Sequence, residues 1–527
     1  MRRKIMGICV CMLVLATALP AAGTLNKNIE KEIEPLLPPS VGWNLTYNRG
    51  EFDSIRDIQQ TKPDGGYICC GLTEESNNFY ILLLKLYANG TEEWHVVNYA
   101  LNGTYVTSTE MDAIAFHVIQ TIDGGFLVTG VSVISIEIQG ETIWGGMGFL
   151  WKTTATGVTE WIEHYYSIEE LAVDYIYYSL EIIGGYISTG QRIYFDMTGQ
   201  VIGFDGFLME TDTNGNIIWI KTFDEGGNEH LSTLCCTNDG GYLLTGFRES
   251  SSIHNGALWI VKTNSTGDKD WEKTFDGPGF EYYYGKGCFQ TSDNGYIICG
   301  NSGSYGAGSV DVWVIKTDSS GKEVWNKTYG YTHNDYTWCM SNTSNGDYVI
   351  VICKDYGYNP GTMDNIWIVE FNENGETECS YLIEETGVQI PTCIKQTDDS
   401  GFIISGRTEE YGISTSDGMV LKITPFPYLD IEVKGGLGIK ATITNTGLGD
   451  AIGVPYEFTV KGGALGLINQ TINGTIDILM GNQKSFSGYF FRFGAITISV
   501  KIGFKEKIWT AFLIGPFVLG IKEIEGS

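Results

Sequence analysis

One turn recurs seven times along the chain and constrains its fold more than any other feature. It runs Asp64-Gly65-Gly66-Tyr67, Asp123-Gly124-Gly125-Phe126, Ile183-Gly184-Gly185-Tyr186 and Asp239-Gly240-Gly241-Tyr242. It continues as Asp293-Asn294-Gly295-Tyr296, Asn345-Gly346-Asp347-Tyr348 and Asp399-Ser400-Gly401-Phe402. Successive aromatic residues lie 52 to 60 residues apart. Gly and Asn accept the positive φ that tight hairpins need, so each motif predicts two paired antiparallel strands. An apolar strand follows each turn, as in Tyr296-Ile297-Ile298-Cys299-Gly300, and then a loop of variable length. A third strand often ends in Lys-Thr, as in Trp259 to Thr263, Trp313 to Thr317 and Phe149 to Thr153. A turn such as Asp318-Ser319-Ser320-Gly321 leads to a fourth strand marked by Trp94, Trp161, Trp219, Trp271 or Trp325, with Cys379 in that place in the sixth repeat. Four strands in about 50 residues is the signature of a propeller blade. The composition agrees: 68 glycines, 13% aromatic and only 18% charged residues suit many short strands joined by tight turns.

The seventh repeat stops after its third strand, Met419 to Thr424. A matching fourth strand stands before the first repeat, where Trp43-Asn44-Leu45-Thr46-Tyr47 parallels Trp325-Asn326-Lys327-Thr328-Tyr329. The chain is therefore expected to be all-β: a seven-bladed β-propeller over residues 41–424, its ring closed by the strand at Trp43, which removes the exposed edges of an open array. Pro425-Phe426-Pro427 ends the repeats. Alternating strands follow, Leu429 to Val433, Ile439 to Thr444 and Tyr456 to Val460, and predict a small antiparallel sandwich over 428–523.

The pattern Thr-x-Asp-Gly-Gly-Tyr followed by Trp-x-x-Lys-Thr-Asp-x-x-Gly-x-x-x-Trp resembles the secreted repeat propellers of archaeal surface proteins. The turn from Asp318 to Trp325 is similar to the tryptophan-docking motif of quinoprotein-type (PQQ-like) propellers. That resemblance implies an indole packed between adjacent blades. The run Gly435-Gly436-Leu437-Gly438 with Ile443-Thr444-Asn445-Thr446-Gly447 resembles Ig-like modules appended to archaeal exported proteins.

Arg2, Arg3 and Lys4, the apolar run from Ile5 to Leu19 and the small residues Pro20 to Gly23 describe a signal peptide over 1–23, with a linker over 24–40. Export to the cell exterior or surface follows, with no membrane span left after cleavage. Eight Asn-x-Ser/Thr sequons, at Asn44, Asn89, Asn102, Asn264, Asn326, Asn342, Asn469 and Asn473, are compatible with a glycoprotein. A formal net charge of -30 argues against nucleic acid and anionic lipid as partners, because phosphates need a positive surface.

Chemistry is harder to place. An acid lies ten residues after the fourth-strand Trp in four repeats: Asp53, Glu229, Glu281 and Asp335. Asp112 and Asp174 are the equivalents after longer connections. These six are the candidate metal residues, expected at the mouth of the central channel, where such oxygens would suit calcium. The favoured reading is that each acid caps backbone amides of a neighbouring blade, and the cation site is its alternative. No other cofactor is indicated. No catalytic residue is assigned, since no HExxH, nucleophile elbow, P-loop or sialidase-type aspartate box occurs, and the six histidines form no cluster. Hairpin counting around Thr291 and Tyr296 sets Cys288 against Cys299, and Cys339 falls within one residue of the same relation to Cys353. The resulting expectation is a non-catalytic recognition or scaffold protein, binding glycan or protein through the looped face. Its alternative is an extracellular carbohydrate-active enzyme or a quinoprotein-like oxidoreductase.

Overall fold

The computed structural model describes residues 41–524 apart from 76–77, 99–112, 139–140, 168, 197, 251–252, 280, 283–286, 355–364, 384–387, 410–414, 426–428, 448, 450 and 503–504. The segments read above as signal peptide and linker, and Asp112, lie outside the described residues. The fold is all-β and propeller-like, and among the described residues no helix is long and apolar enough to cross a membrane.

Residues 41–423 form seven four-stranded antiparallel units. The first is Asp53–Gln60, Tyr67–Glu75, Asn78–Leu86 and Glu92–Asn98, and the sixth is Tyr336–Asn342, Tyr348–Lys354, Asn365–Phe371 and Thr377–Ile383. In the fifth unit the first strand is split into Glu281–Tyr282 and Cys288–Gln290, both paired with Tyr296–Ser302. The second and third units run into one eight-stranded sheet, because Tyr166 and Ser167 pair with Val173 and Ala172. The seventh unit takes its outer strand from the N-terminal side: Val41–Tyr47 lies antiparallel to Ser416–Ile423, with Trp43 opposite Lys422 and Tyr47 opposite Gly418.

The apolar residues of each unit face both ways and build the cores between neighbours. Ile68 and Cys70 of the first unit pack with Val118, Phe126 and Trp151 of the second. Ile187 and Leu208 of the third pack with Leu234, Leu244 and Trp259 of the fourth. The last core joins sixth, seventh and first units through Val351, Ile404, Cys393, Ile55 and Tyr67, so the series returns to its start. Polar contacts follow the same order. The Lys62 amide donates to Gln120 Oε1 (2.7 Å), Asn238 to Gln290 (2.7 Å), Ser344 to Gln396 (2.6 Å) and, across the seam, Asp398 to Gln60 (2.8 Å).

Two repeated devices hold the units. In the first, the turn aspartate is bonded by a buried lysine of the third strand: Lys85–Asp64 (2.5 Å), Lys152–Asp123 (2.9 Å), Lys262–Asp239 (2.8 Å), Lys316–Asp293 (2.6 Å) and Lys422–Asp399 (2.9 Å). In the third and sixth units the aspartate is replaced by Ile183 and Asn345, and the lysine position holds Glu210 and Glu370. Partners are therefore lost together, as expected when an unpaired buried ammonium would be costly. In the second device each fourth-strand indole lies over the positive-φ glycine of the next unit's outer turn. The pairs are Trp43–Gly90, Trp94–Gly157, Trp161–Gly215, Trp219–Gly267, Trp271–Gly321 and Trp325–Gly375.

Residues 429–523 form a three-stranded and a six-stranded sheet. Strands Leu429–Lys434 and Ile439–Asn445 alternate buried and exposed positions. Their inner residues Ile431, Ile439 and Ile443 share one core with Phe458, Ile498, Val500 and Trp509 of the larger sheet.

Candidate metal centre

The described aligned acids fall just before or within the first three residues of a unit's first strand, and all are buried. Their partners differ. Asp53 accepts hydrogen bonds from the Arg49 and Gly50 amides (2.7 and 3.1 Å), and Asp335 accepts one from the Tyr331 amide (2.6 Å). Asp174 is held by Arg192 through Nε (2.7 Å) and Nη2 (2.9 Å). Glu281 sits beside Ser302 and Ser304. Burial raises its carboxyl above the ordinary range, those hydroxyls oppose the rise, and Asp276 adds to it. Asp53, Asp174 and Asp335 are each bonded within their own neighbourhood, whereas neither Glu281 oxygen completes a hydrogen bond.

Glu229 shares that lack of a completed bond and differs in having two carboxylates beside it. It belongs to strand Asn228–Cys236, the first of the fourth unit, and its side chain is fully buried. Neither carboxylate oxygen completes a hydrogen bond. The Gly227 amide and, at 3.4 Å, Arg248 Nε approach it. Arg248 is also committed elsewhere, donating to the Glu225 carbonyl (2.6 Å). Two further carboxylates face Glu229. Asp205 comes from the third strand of the preceding unit, Val201–Asp212, and Asp224 immediately follows its fourth strand, Ile217–Phe223. One ligand oxygen from each of the three lies within 4.8 Å of the others, and among the described residues this is the sole such group of three. Asp53, Asp174, Glu281 and Asp335 are not part of it.

The electrostatics follow from that crowding. Burial, opposed by Arg248 and reinforced by Asp205 and Asp224, pushes the Glu229 carboxyl up to about 7. Burial also raises Asp205, against a hydrogen bond from Tyr194, and Asp224 raises it further. Like charges held together in a partly dry site disfavour joint ionisation. A divalent cation removes that penalty. The donors are oxygen only, which suits calcium or magnesium and not the softer transition metals. Oxygens 2.3–2.6 Å from a shared calcium necessarily lie within about 5 Å of one another.

Sequence spacing finds Glu229 but neither Asp205 nor Asp224. Asp205 occupies the repeat position held by Asp311 in the fifth unit, and Asp224 follows Phe223 as Asp276 follows Phe275. An acid at all three positions before, after and within the unit junction is the signal that could have identified them.

The cysteine expectation needs correction. Cys288 is in register with Ile298, not Cys299. Neighbouring residues of a strand point to opposite faces. Cys288 accordingly packs into the core against the fourth unit, while Cys299 packs into the core against the sixth.

No known protein family matches the chain, and no curated protein matches its sequence. Among solved structures it is similar to puromycin hydrolase, with 10% identity over 78% of this chain and 62% of that one and a TM-score of 0.41. It is also similar to Sqt1 from Chaetomium thermophilum (11% identity, 74% of this chain and 99% of that chain, TM-score 0.37). A third is acylaminoacyl peptidase from Pyrococcus horikoshii (9% identity, 76% and 57%, TM-score 0.36). The chain thus spans about three fifths of the puromycin hydrolase and peptidase chains. The expectation of a non-catalytic recognition or scaffold protein is corrected by these neighbours, two of which are named for hydrolytic activities. This chain itself is an all-β, repeat-like arrangement of antiparallel sheets.

Proposed function

We propose that this chain is an exported, seven-bladed β-propeller with an Ig-like C-terminal sandwich, and that it binds one hard divalent cation, calcium by preference, in a hydrolysis-related role. Asp205, Asp224 and Glu229 are its ligands, at the junction of the third and fourth blades. The ring of inter-unit cores and the seam pairing of Val41–Tyr47 support the architecture. The observation that carries the site is the buried Glu229 carboxylate, without a completed hydrogen bond and turned toward two more carboxylates. A cation held by these oxygens would keep Glu229 ionised as a ligand and would supply Lewis-acid activation of water, which is the hydrolysis-related role proposed.

Calcium, magnesium and manganese are to be titrated into the full chain and into Asp205→Asn and Glu229→Gln, with melting temperature as readout. Hydrolysis of a panel of chromogenic peptide and ester substrates is then measured with and without chelator. The proposal expects calcium to raise the melting temperature of the native chain alone, and chelator to abolish hydrolysis. A calcium shift without hydrolysis would reduce the site to a structural clamp between two blades. No shift with any cation would remove the metal centre.

A further inference from the structure

The ten cysteines in the described residues are all thiols, and two of them nearly touch. Cys339 lies in the first strand of the sixth unit, Tyr336–Asn342, and Cys393 in the first strand of the seventh, Val388–Gln396. They occupy the same repeat position, 54 residues apart, as do Tyr348 and Phe402. Both side chains are buried, at 1% and 0% exposure, and their sulfurs lie 3.4 Å apart across the boundary between units. Cys339 Sγ also approaches the Ile394 carbonyl at 3.7 Å. A disulfide needs sulfurs about 2.05 Å apart, so closure takes a side-chain adjustment of little more than 1 Å.

We propose that Cys339 and Cys393 are a redox pair that closes into a disulfide between the sixth and seventh units. The oxidant is a low-molecular-weight disulfide, which reaches the buried pair when the units open locally. Cys339 as thiolate attacks one of its sulfurs, forming a mixed disulfide and releasing one small thiolate, which takes the Cys339 proton. Cys393 then attacks the Cys339 sulfur, its proton passing to the second small thiol as that leaves. Two protein thiols are oxidised and one small disulfide is reduced to two thiols. The assignment of Cys339 as the attacking sulfur rests on its surroundings. Its hydrogen bond with Cys393 lowers its thiol against the effect of burial, and the Lys395 ammonium lowers it further. Cys393 is held up by that same contact and by burial. The thiolate is the reactive form, and the lowered thiol is the one that supplies it. The neighbouring seam between the seventh and first units is held by a shared core, strand pairing and side-chain bonds, with no covalent cross-link among the described residues. A covalent link at the adjacent boundary would limit how far an opening at the seam spreads.

The test uses the full chain equilibrated over a series of reduced-to-oxidised glutathione ratios, then alkylated in denaturant and mapped by peptide mass spectrometry. The expected result is a 2 Da loss located in a single cross-linked species joining the Cys339 and Cys393 peptides, reversed by reductant. Oxidation should raise the melting temperature of the native chain by several degrees and leave Cys339→Ser and Cys393→Ala unchanged. The mass map needs no variant, so a misfolded substitution does not blunt it. Separate alkylation of both cysteines after full oxidation would overturn the proposal, as would a bridge from either to any other cysteine.

Discussion

Replacing Gly90 by alanine probes the seam directly. Gly90 has φ +84°, and a Cβ there would meet Trp43 Cε3, Cδ2 and Cζ3 at 2.4 to 2.7 Å. Trp43 is carried by the strand that completes the seventh unit, whereas Gly90 belongs to the first, so the contact exists only if the two ends of the repeat array meet. Gly124 supplies the control: its φ is also +84°, and nothing lies within 4 Å of its added Cβ. The left-handed backbone costs an alanine about 1 kcal/mol at either site. Overpacking against the indole adds about 1–3 kcal/mol at Gly90 alone. Gly90→Ala should therefore lose about 2–4 kcal/mol and Gly124→Ala about 1 kcal/mol. Urea unfolding followed by tryptophan fluorescence measures both, and hydrogen exchange should show residues 41–47 opening first in Gly90→Ala. In a Trp43→Ala background the two costs should converge, because the clash has been removed. Equal losses in the native background, or a Gly90 cost indifferent to Trp43, would refute the closed ring.

Glu229→Gln should change how stability depends on pH. The Glu229 carboxyl titrates near 7 in the folded chain against 4.5 ordinarily, so its stabilising effect is complete below about 4.5 and lost as pH rises through 7. Without cation, the glutamine variant should be more stable than the native chain at pH 8, by up to about 3 kcal/mol, and equal to it near pH 4. Lys262→Met should cost about 1–2 kcal/mol in thermal or urea unfolding, since the buried ammonium bridges Asp239 and the Thr263 carbonyl (2.8 and 2.7 Å). Asp239 runs the opposite way to Glu229: hydrogen bonds from Lys262 and Thr237, against burial, hold it at about 2. Its contribution is present above the usual carboxylate range and lost toward pH 2, and solvent exposure keeps it below the full value of the shift. Asp239→Asn should accordingly destabilise at pH 6 and be neutral at pH 2.

The repeat made the units legible because each turn must solve the same backbone problem, and Asp-Gly-Gly is a local solution that survives in sequence. Even the seam could be read, since Trp43 to Tyr47 keeps the pattern of Trp325 to Tyr329 and pairs with Ser416–Ile423. What could not be read depends on contacts between units. The Asp205 and Asp224 side chains reach Glu229 only because a third strand, the end of a fourth strand and the next first strand converge at one junction. Register decided the cysteines: a slip of one residue sends Cys299 to the opposite face from Cys288, and the thiols that meet, Cys339 and Cys393, are separated by one whole repeat. The acids aligned by spacing share a place in the fold but not a chemistry. Backbone amides satisfy Asp53 and Asp335, and Arg192 satisfies Asp174.

Calorimetric titration of calcium into the chelator-treated full chain, repeated at pH 7 in buffers of differing ionisation enthalpy, tests the central claim most directly. Binding at Asp205, Asp224 and Glu229 predicts one ion per chain and release of a fraction of a proton, because burial and the facing carboxylates raise Glu229 to about 7 and the ion displaces the proton it holds. Glu229→Gln should bind more weakly and release none. Absence of saturable binding, or binding with the same proton count in Glu229→Gln, would contradict the account.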